Sequence, residues 1–176
     1  KAGTILADND TSLQVETTTG KRVKVKAAAV LLRFAAPSPH TLHNDAHALA
    51  ATLDVDFLWQ VSPDDEFGFA DLAAEYFGHA PTPVEGAAVA HALAAAPMYF
   101  YKRGKGRYRK APADALAAAL ASIERRKREA EAMAGWVAEL SAGRLPEALN
   151  AKLPQLLHKP DRGSLEWKAL AAACDA

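Results

Sequence analysis

The sixteen residues from Pro97 to Pro112 hold the densest chemistry in the chain: Pro-Met-Tyr-Phe-Tyr-Lys-Arg-Gly-Lys-Gly-Arg-Tyr-Arg-Lys-Ala-Pro. Two short aromatic-bearing runs, Met98–Tyr101 and Arg107–Arg109, flank a Gly-Lys-Gly tip. Six of the nine residues from Lys102 to Lys110 are basic: Lys102, Arg103, Lys105, Arg107, Arg109 and Lys110. The pattern predicts a β-hairpin whose tip and outer edge are positively charged. So much like charge on one small element calls for a polyanion to relieve its self-repulsion. Nucleic acid is the first polyanion to consider, with the cations on phosphates. Tyr101 and Tyr108 are candidates for stacking on unpaired bases. The competing reading is that alternate aromatics pack the hairpin on its neighbours, since a strand turns every second residue inward. Phe100 is assigned to that core.

Other chemistry is sparse. His43 and His47 stand four residues apart and share a helix face, but no Glu lies between them in a His-Glu-x-x-His arrangement. They read as surface histidines, with His79, His91 and His158 isolated. Asp54, Asp56, Asp64, Asp65 and Glu66 form an acidic cluster, but at positions expected to be helix starts, where the macrodipole accounts for them. There is no Gly-x-Ser-x-Gly, no P-loop frame around Gly104 and Gly106, and no basic residue beside Cys174 to activate its thiol. No catalytic residue and no metal ligand is assigned, and no cofactor is expected on this chain.

Three groups of elements would position the basic stretch. Residues 1–36 read as a small β unit, with Gly3–Ala7 as a first strand, Leu13 and Val15 on a second, and Val23 and Val25 alternating with Arg22, Lys24 and Lys26. Val30–Phe34 is expected to close it into a tiny SH3-like barrel. Lys24 and Lys26 are candidates to extend a phosphate track, although edge lysines also guard a strand against unwanted pairing. Residues 37–111 read as three helices, roughly 39–60, 68–78 and 83–96, followed by the hairpin at 97–110. Ser38-Pro39 and the capping box Thr82-Pro83-Val84-Glu85 give start signals, and Gly78 a stop. Three helices and a two-stranded hairpin is the order of a winged helix. Residues 112–176 read as a long helix to about Ala142, a helix over Leu145–Leu157 broken near Pro154, and a last helix after Ser164. The charged run Glu124-Arg125-Arg126-Lys127-Arg128-Glu129 is read as the solvated middle of the long helix.

Composition sets the limits. The chain has 176 residues, half of them hydrophobic, but about 40 of these are alanine, which favours helix and buries little area. Formal net charge is zero, so any pull on a polyanion is local to Lys102–Lys110. A single cysteine rules out an internal disulfide, and fits a reducing cytoplasm. No apolar run reaches the roughly 18–20 residues of a membrane span, and no signal-peptide pattern is seen. The chain starts at Lys1 already in strand pattern and is expected to be part of something longer. The fold class expected is α+β.

These residues resemble a known family. Gly20–Lys26 with Val30-Leu31-Leu32-Arg33-Phe34 looks like the small N-terminal barrel of bacterial proteins that carry a ribonuclease II/ribonuclease R type catalytic domain. Phe69-Ala70-Asp71-Leu72-Ala73, Thr82–Glu85 and Ala96–Tyr101 resemble their winged-helix region, and Lys159-Pro160-Asp161 with Leu165–Leu170 continues the likeness. The resemblance implies a magnesium-dependent exoribonuclease that degrades RNA hydrolytically from the 3′ end. Its catalytic signature, Asp-Pro-x-x-x-x-Asp-x-Asp-Asp, is absent from these residues. The chain then corresponds to an N-terminal, RNA-binding region. Its partners would be single-stranded RNA and the parent's own catalytic domain, where magnesium would bind. Two other readings stand beside it. A winged-helix DNA regulator would need base-reading side chains on its third helix, and residues 83–96 contain no Lys, Arg, Asn or Gln. A protein-docking scaffold would instead set the basic wing against an acidic surface.

Overall fold

The computed structural model describes residues 2–174, which form a mixed α+β chain with two small antiparallel sheets and eight α-helices among the described residues. They divide into two compact units, the first running to Leu116 and the second from Ala117 on.

The first unit begins with a meander of β1 (Gly3–Asn9), β2 (Ser12–Thr17) and β3 (Arg22–Lys26). Register sets its two faces. Leu13 pairs with Val25 and Val15 with Val23, so these four share one face. Gln14 pairs with Lys24 and Glu16 with Arg22 on the other. The turn at Asp10 takes a left-handed backbone, which Asp tolerates better than most residues (φ 56°). The expected barrel does not form. The sheet is open, ordered β1-β2-β3, and Val30–Phe34 carries no strand. That segment is held by other contacts: Leu32 packs on the helical core, and the Arg33 guanidinium donates to Asp8 Oδ2 at 2.9 Å.

The helical core follows. α1 (Pro39–Ala50) starts at Ser38, whose Oγ accepts from Thr41 N–H at 3.2 Å, with Pro39 at the first helical position. The single helix expected over 39–60 is two. Thr52 Oγ1 donates back to the Leu49 carbonyl, and Asp54 caps a new helix, α2 (Val55–Val61), by accepting from Phe57 N–H at 3.0 Å. A two-residue strand, β4 (Phe67–Gly68), precedes α3 (Phe69–Phe77), which stops at Gly78 in the left-handed conformation (φ 73°). α4 (Pro83–Ala95) opens on a capping box: Glu85 N–H donates to Thr82 Oγ1 at 3.3 Å, and Thr82 N–H donates to Glu85 Oε2 at 2.7 Å. The hairpin strands β5 (Phe100–Lys102) and β6 (Arg107–Lys110) join β4 in a second sheet ordered β4-β6-β5. Leu58, Phe67, Phe69, Leu72, Val89, Leu93 and Phe100 fill the space between helices and sheet. Side chains of this size each contribute about 1.5–3 kcal/mol on full burial.

α5 (Ala113–Ser141) begins in the first unit, where Leu116 is buried, and continues in the second. Its charged middle is exposed and paired along the helix. Arg128 Nε donates to Glu124 at 2.9 Å, and Arg125 lies 3.8 Å from Glu129. Such i,i+4 pairs support a helix by a few tenths of a kcal/mol each, roughly 0.2–0.5. The second unit ends in α6 (Glu147–Asn150), α7 (Leu153–His158) and α8 (Leu165–Cys174), with Leu149, Leu156 and Ala169 buried. The helix expected over Leu145–Leu157 is broken near Pro154 as the sequence suggests: it is interrupted at Ala151 and Lys152, and Pro154 lies in the first turn of α7. No helix among the described residues is long and apolar enough to cross a membrane.

Candidate nucleic-acid interface

The hairpin owes its shape to Gly106. Its φ is 70°, a conformation that costs an L side chain, and its carbonyl accepts from Phe69 N–H at 3.0 Å. A Cβ there would lie 2.9 Å from the Phe69 ring and 3.3 Å from Leu31. Only glycine lets the turn close against the start of α3. Arg103 N–H donates to the Arg107 carbonyl at 3.0 Å and completes the tip. The tip is therefore pinned to the helical core, and its cations have fixed roots.

Strand register then sorts the candidate residues. Tyr101 pairs with Arg109, and Arg107 lies two residues along β6, so these three share the outer face. Gly68 lies opposite Arg107 and adds no side chain beside it. Tyr101 is 39% exposed. Phe100 and Tyr108 point inward, the first as the sequence suggests. Tyr108 is only 5% exposed and, with Phe67 opposite it, belongs to the core. The expectation that Tyr108 stacks on a base is therefore corrected: its ring is used in packing, and burial pushes its hydroxyl pKa up.

The six basic residues fall into two groups. Lys102, Arg103 and Lys105 are exposed and make no ion pair among the described residues. The other three meet the loop between α2 and β4. Arg107 pairs with the Glu66 carboxylate and also donates to the Glu66 carbonyl at 3.2 Å. Arg109 donates to the Asp64 carbonyl at 3.3 Å. Lys110 is the most tightly held, with its side chain only 20% exposed. Its ammonium donates to the Ser62 carbonyl and to Asp64 Oδ1, each at 2.9 Å, and lies 5.6 Å from the centre of the Trp59 ring. Trp59 is itself fixed by donating to the Ala111 carbonyl at 2.9 Å. Lys110 is a structural clamp, and its expected role as a phosphate ligand is corrected on that ground. Arg107 and Arg109 remain exposed. Surface pairs like that of Arg107 with Glu66 are worth only about 0–1 kcal/mol, so a phosphate can compete for them.

Asp64 and Glu66 thus answer the hairpin's cations, where the sequence alone suggested helix capping. Asp54 does cap α2, and Asp56 accepts from the Tyr99 hydroxyl at 2.9 Å. Lys24 and Lys26 are exposed on β3, opposite Gln14 and Ser12, and belong to the first sheet rather than the hairpin's. α4 is packed against α1 and α3 with Gly86, Ala88, Val89, Ala92 and Leu93 buried, so it does not present a free face to a groove.

One grouping escaped the sequence reading. His91, expected to be isolated, lies with His43 and His47, the three ring centroids 5.9 to 6.3 Å apart. The available signal was the alanine flanking each helix contact. Ala46, Ala88 and Ala92 are buried and let α1 and α4 approach closely. Among the described residues, no group of three or more His, Cys, Asp or Glu side chains is placed so that it could hold a metal ion. No family model matches the chain, and neither a curated protein nor a solved structure does.

Proposed function

We propose that this chain is the RNA-binding N-terminal region of a ribonuclease II-like exoribonuclease, holding single-stranded RNA for hydrolysis carried out by a catalytic domain outside these residues. The observation that carries the reading is the anchored tip, where Lys102, Arg103 and Lys105 stand exposed with no ion-pair partner among the described residues, at the end of the strand that carries Tyr101. Cations rooted on a backbone already fixed by these bonds meet phosphates at the cost of their own side-chain freedom, with no further cost of ordering the ribbon. Arg107 and Arg109, on the same face as Tyr101, extend the track once the strand displaces the acidic loop. The element order α1, α2, β4, α3, α4, β5, β6, with strands ordered β4-β6-β5, supports reading residues 37–111 as a winged-helix-like domain that uses its wing. Burial of α4 argues against the DNA-regulator reading, in which that helix would enter the major groove.

The test is titration of labelled single-stranded RNA at two salt concentrations. Wild-type affinity should fall with salt by about 0.7 log unit per log unit of salt for each phosphate contact. Replacing Lys102, Arg103 and Lys105 by Ser should reduce that slope by about 2. Equal affinity for wild type and triple variant would end the reading. RNA-independent capture of an acidic protein surface by the same tip would replace it with the docking scaffold.

A further inference from the structure

The charges of this chain are segregated. Residues 34–101 hold nine Asp and Glu and no Lys or Arg, so the chain's 21 basic residues all lie outside them. This stretch builds α1 to α4 and makes the helical core acidic, opposite in character to the hairpin. The hairpin answers only part of that charge, through Asp64 and Glu66. Asp54, Asp56 and Glu75 are exposed and in no ion pair among the described residues. Asp54 and Asp56 each accept a hydrogen bond at Oδ1, from the Phe57 N–H and the Tyr99 hydroxyl. Their other carboxylate oxygens are open to a ligand.

A row of aromatic rings runs through this acidic ground. Phe57 of α2 meets Tyr76 of α3 edge to face, with ring centroids 5.6 Å apart. Tyr76 meets Phe77 in the same way at 5.1 Å. Tyr76 and Phe77 are half-buried against the core, whereas Phe57 is 45% exposed. The Asp54 N–H donates to the Tyr76 hydroxyl at 3.3 Å, which ties the start of α2 to α3 and fixes the row. Asp56 and Glu75 directly precede Phe57 and Tyr76 in the chain. Contiguous apolar surface rimmed by polar groups is the pattern of an interaction site.

We propose that the row Phe57, Tyr76 and Phe77, together with Asp54, Asp56 and Glu75, docks an arginine-rich segment of a partner protein. The sign of the partner follows from the acidic core, which repels any polyanion, RNA included. Arginine rather than lysine follows from the pairing of rings with carboxylates. A guanidinium is planar, stacks on aromatic faces and takes a carboxylate through two parallel hydrogen bonds. An ammonium is a compact, strongly hydrated point charge that does neither as well. The surface shares no residue with the hairpin and does not depend on an RNA role.

The probe is a fluorescein-labelled peptide of alternating Arg and Gly, titrated into the full chain and read by anisotropy. Peptides with Lys or Glu in place of Arg are the comparisons. The Arg peptide should bind, the Lys peptide more weakly, and the Glu peptide not at all. Phe57→Ala should weaken binding of the Arg peptide by about fivefold or more, as loss of a cation–π contact does. Asp56→Asn combined with Glu75→Gln should weaken it and flatten its dependence on salt. Asp65→Asn, in the loop between α2 and β4, should leave it nearly unchanged. Circular dichroism checks that each variant folds, and the exposure of Phe57 favours that. Equal affinity of the Arg peptide for wild type and Phe57→Ala overturns the proposal, because acidity alone would then hold it. Equal affinity for the Arg and Lys peptides, or no binding of the Arg peptide, overturns it too. Sedimentation in which wild type self-associates and Phe57→Ala does not would give the row to a second copy, and would also overturn it.

Discussion

The tip and the returning strand of the hairpin hold the same kinds of residue in opposite states. Lys102, Arg103 and Lys105 extend into solvent with no internal partner among the described residues. Arg107, Arg109 and Lys110 are met by Glu66, Asp64 and the Ser62 carbonyl. The difference lies in what sits across from each strand. β6 is central in its sheet, and its basic side chains reach the α2–β4 loop, whereas those of Lys102, Arg103 and Lys105 meet no acid among the described residues. A lysine on the ribbon is therefore either a ligand or a fastener according to its position, and the six charges are not six equivalent contacts.

The tyrosines break this comparison most sharply. Tyr108→Ala should lose about 3–5 kcal/mol in urea unfolding, as a large aromatic removed from a packed site does. Tyr101→Ala should leave stability within about 0.5 kcal/mol and cost RNA binding about 1–3 kcal/mol. Similar stability losses for both would mean that the hairpin's two faces are not distinct. Lysines give the next effect. Lys110→Met leaves the carbonyl of buried Ser62 without its partner, while exposed Asp64 turns to water, and should cost about 1–3 kcal/mol, measured by the same unfolding. Lys102→Met should be nearly neutral there and weaken RNA binding instead.

The acids extend the contrast with smaller effects. Glu66→Gln frees Arg107 from its competitor, so RNA binding should tighten, with at most about 1 kcal/mol lost from stability. Unchanged affinity would show that Arg107 never reaches the strand. Glu85 serves a helix rather than a cation on the hairpin. Its bonds from the Thr82 N–H and hydroxyl hold its carboxyl below the usual carboxylate range, against a smaller opposing effect of burial. Because the folded-state pKa is the lower one, this contribution is complete above the unfolded-state value and disappears as pH falls through the folded one. Glu85→Gln should flatten that acid limb of stability, read by thermal melts across pH 2 to 6, a range set by ordinary carboxylates at about pH 4.

Local signals were readable in the chain. Ser38-Pro39, Thr82–Glu85 and Gly78 act within one helical turn, and they start and stop α1, α4 and α3 as their chemistry dictates. The hairpin followed from alternation around a glycine-rich turn. What could not be read depends on partners far along the chain. β4 is two residues long, too short to show a period, and exists because Phe67 finds Tyr108. The break between α1 and α2 rests on Thr52 and Asp54, polar residues inside a continuous apolar stripe. Val30–Phe34 has the composition of a strand and instead gives Leu32 to the helical core and Arg33 to Asp8. Asp64 and Glu66 looked like capping residues because their cations lie more than forty positions away. His91 is as distant from His43 and His47, and only the alanine contact between two helices joins them.

The bond from Phe69 N–H to the Gly106 carbonyl makes the hairpin and the first turn of α3 a single mechanical piece. The ribbon cannot swing outward while that amide stays bonded, and the amide cannot exchange its proton for deuterium until the ribbon lets go. One backbone position thus records how often the arm opens, with or without a polymer lying along it.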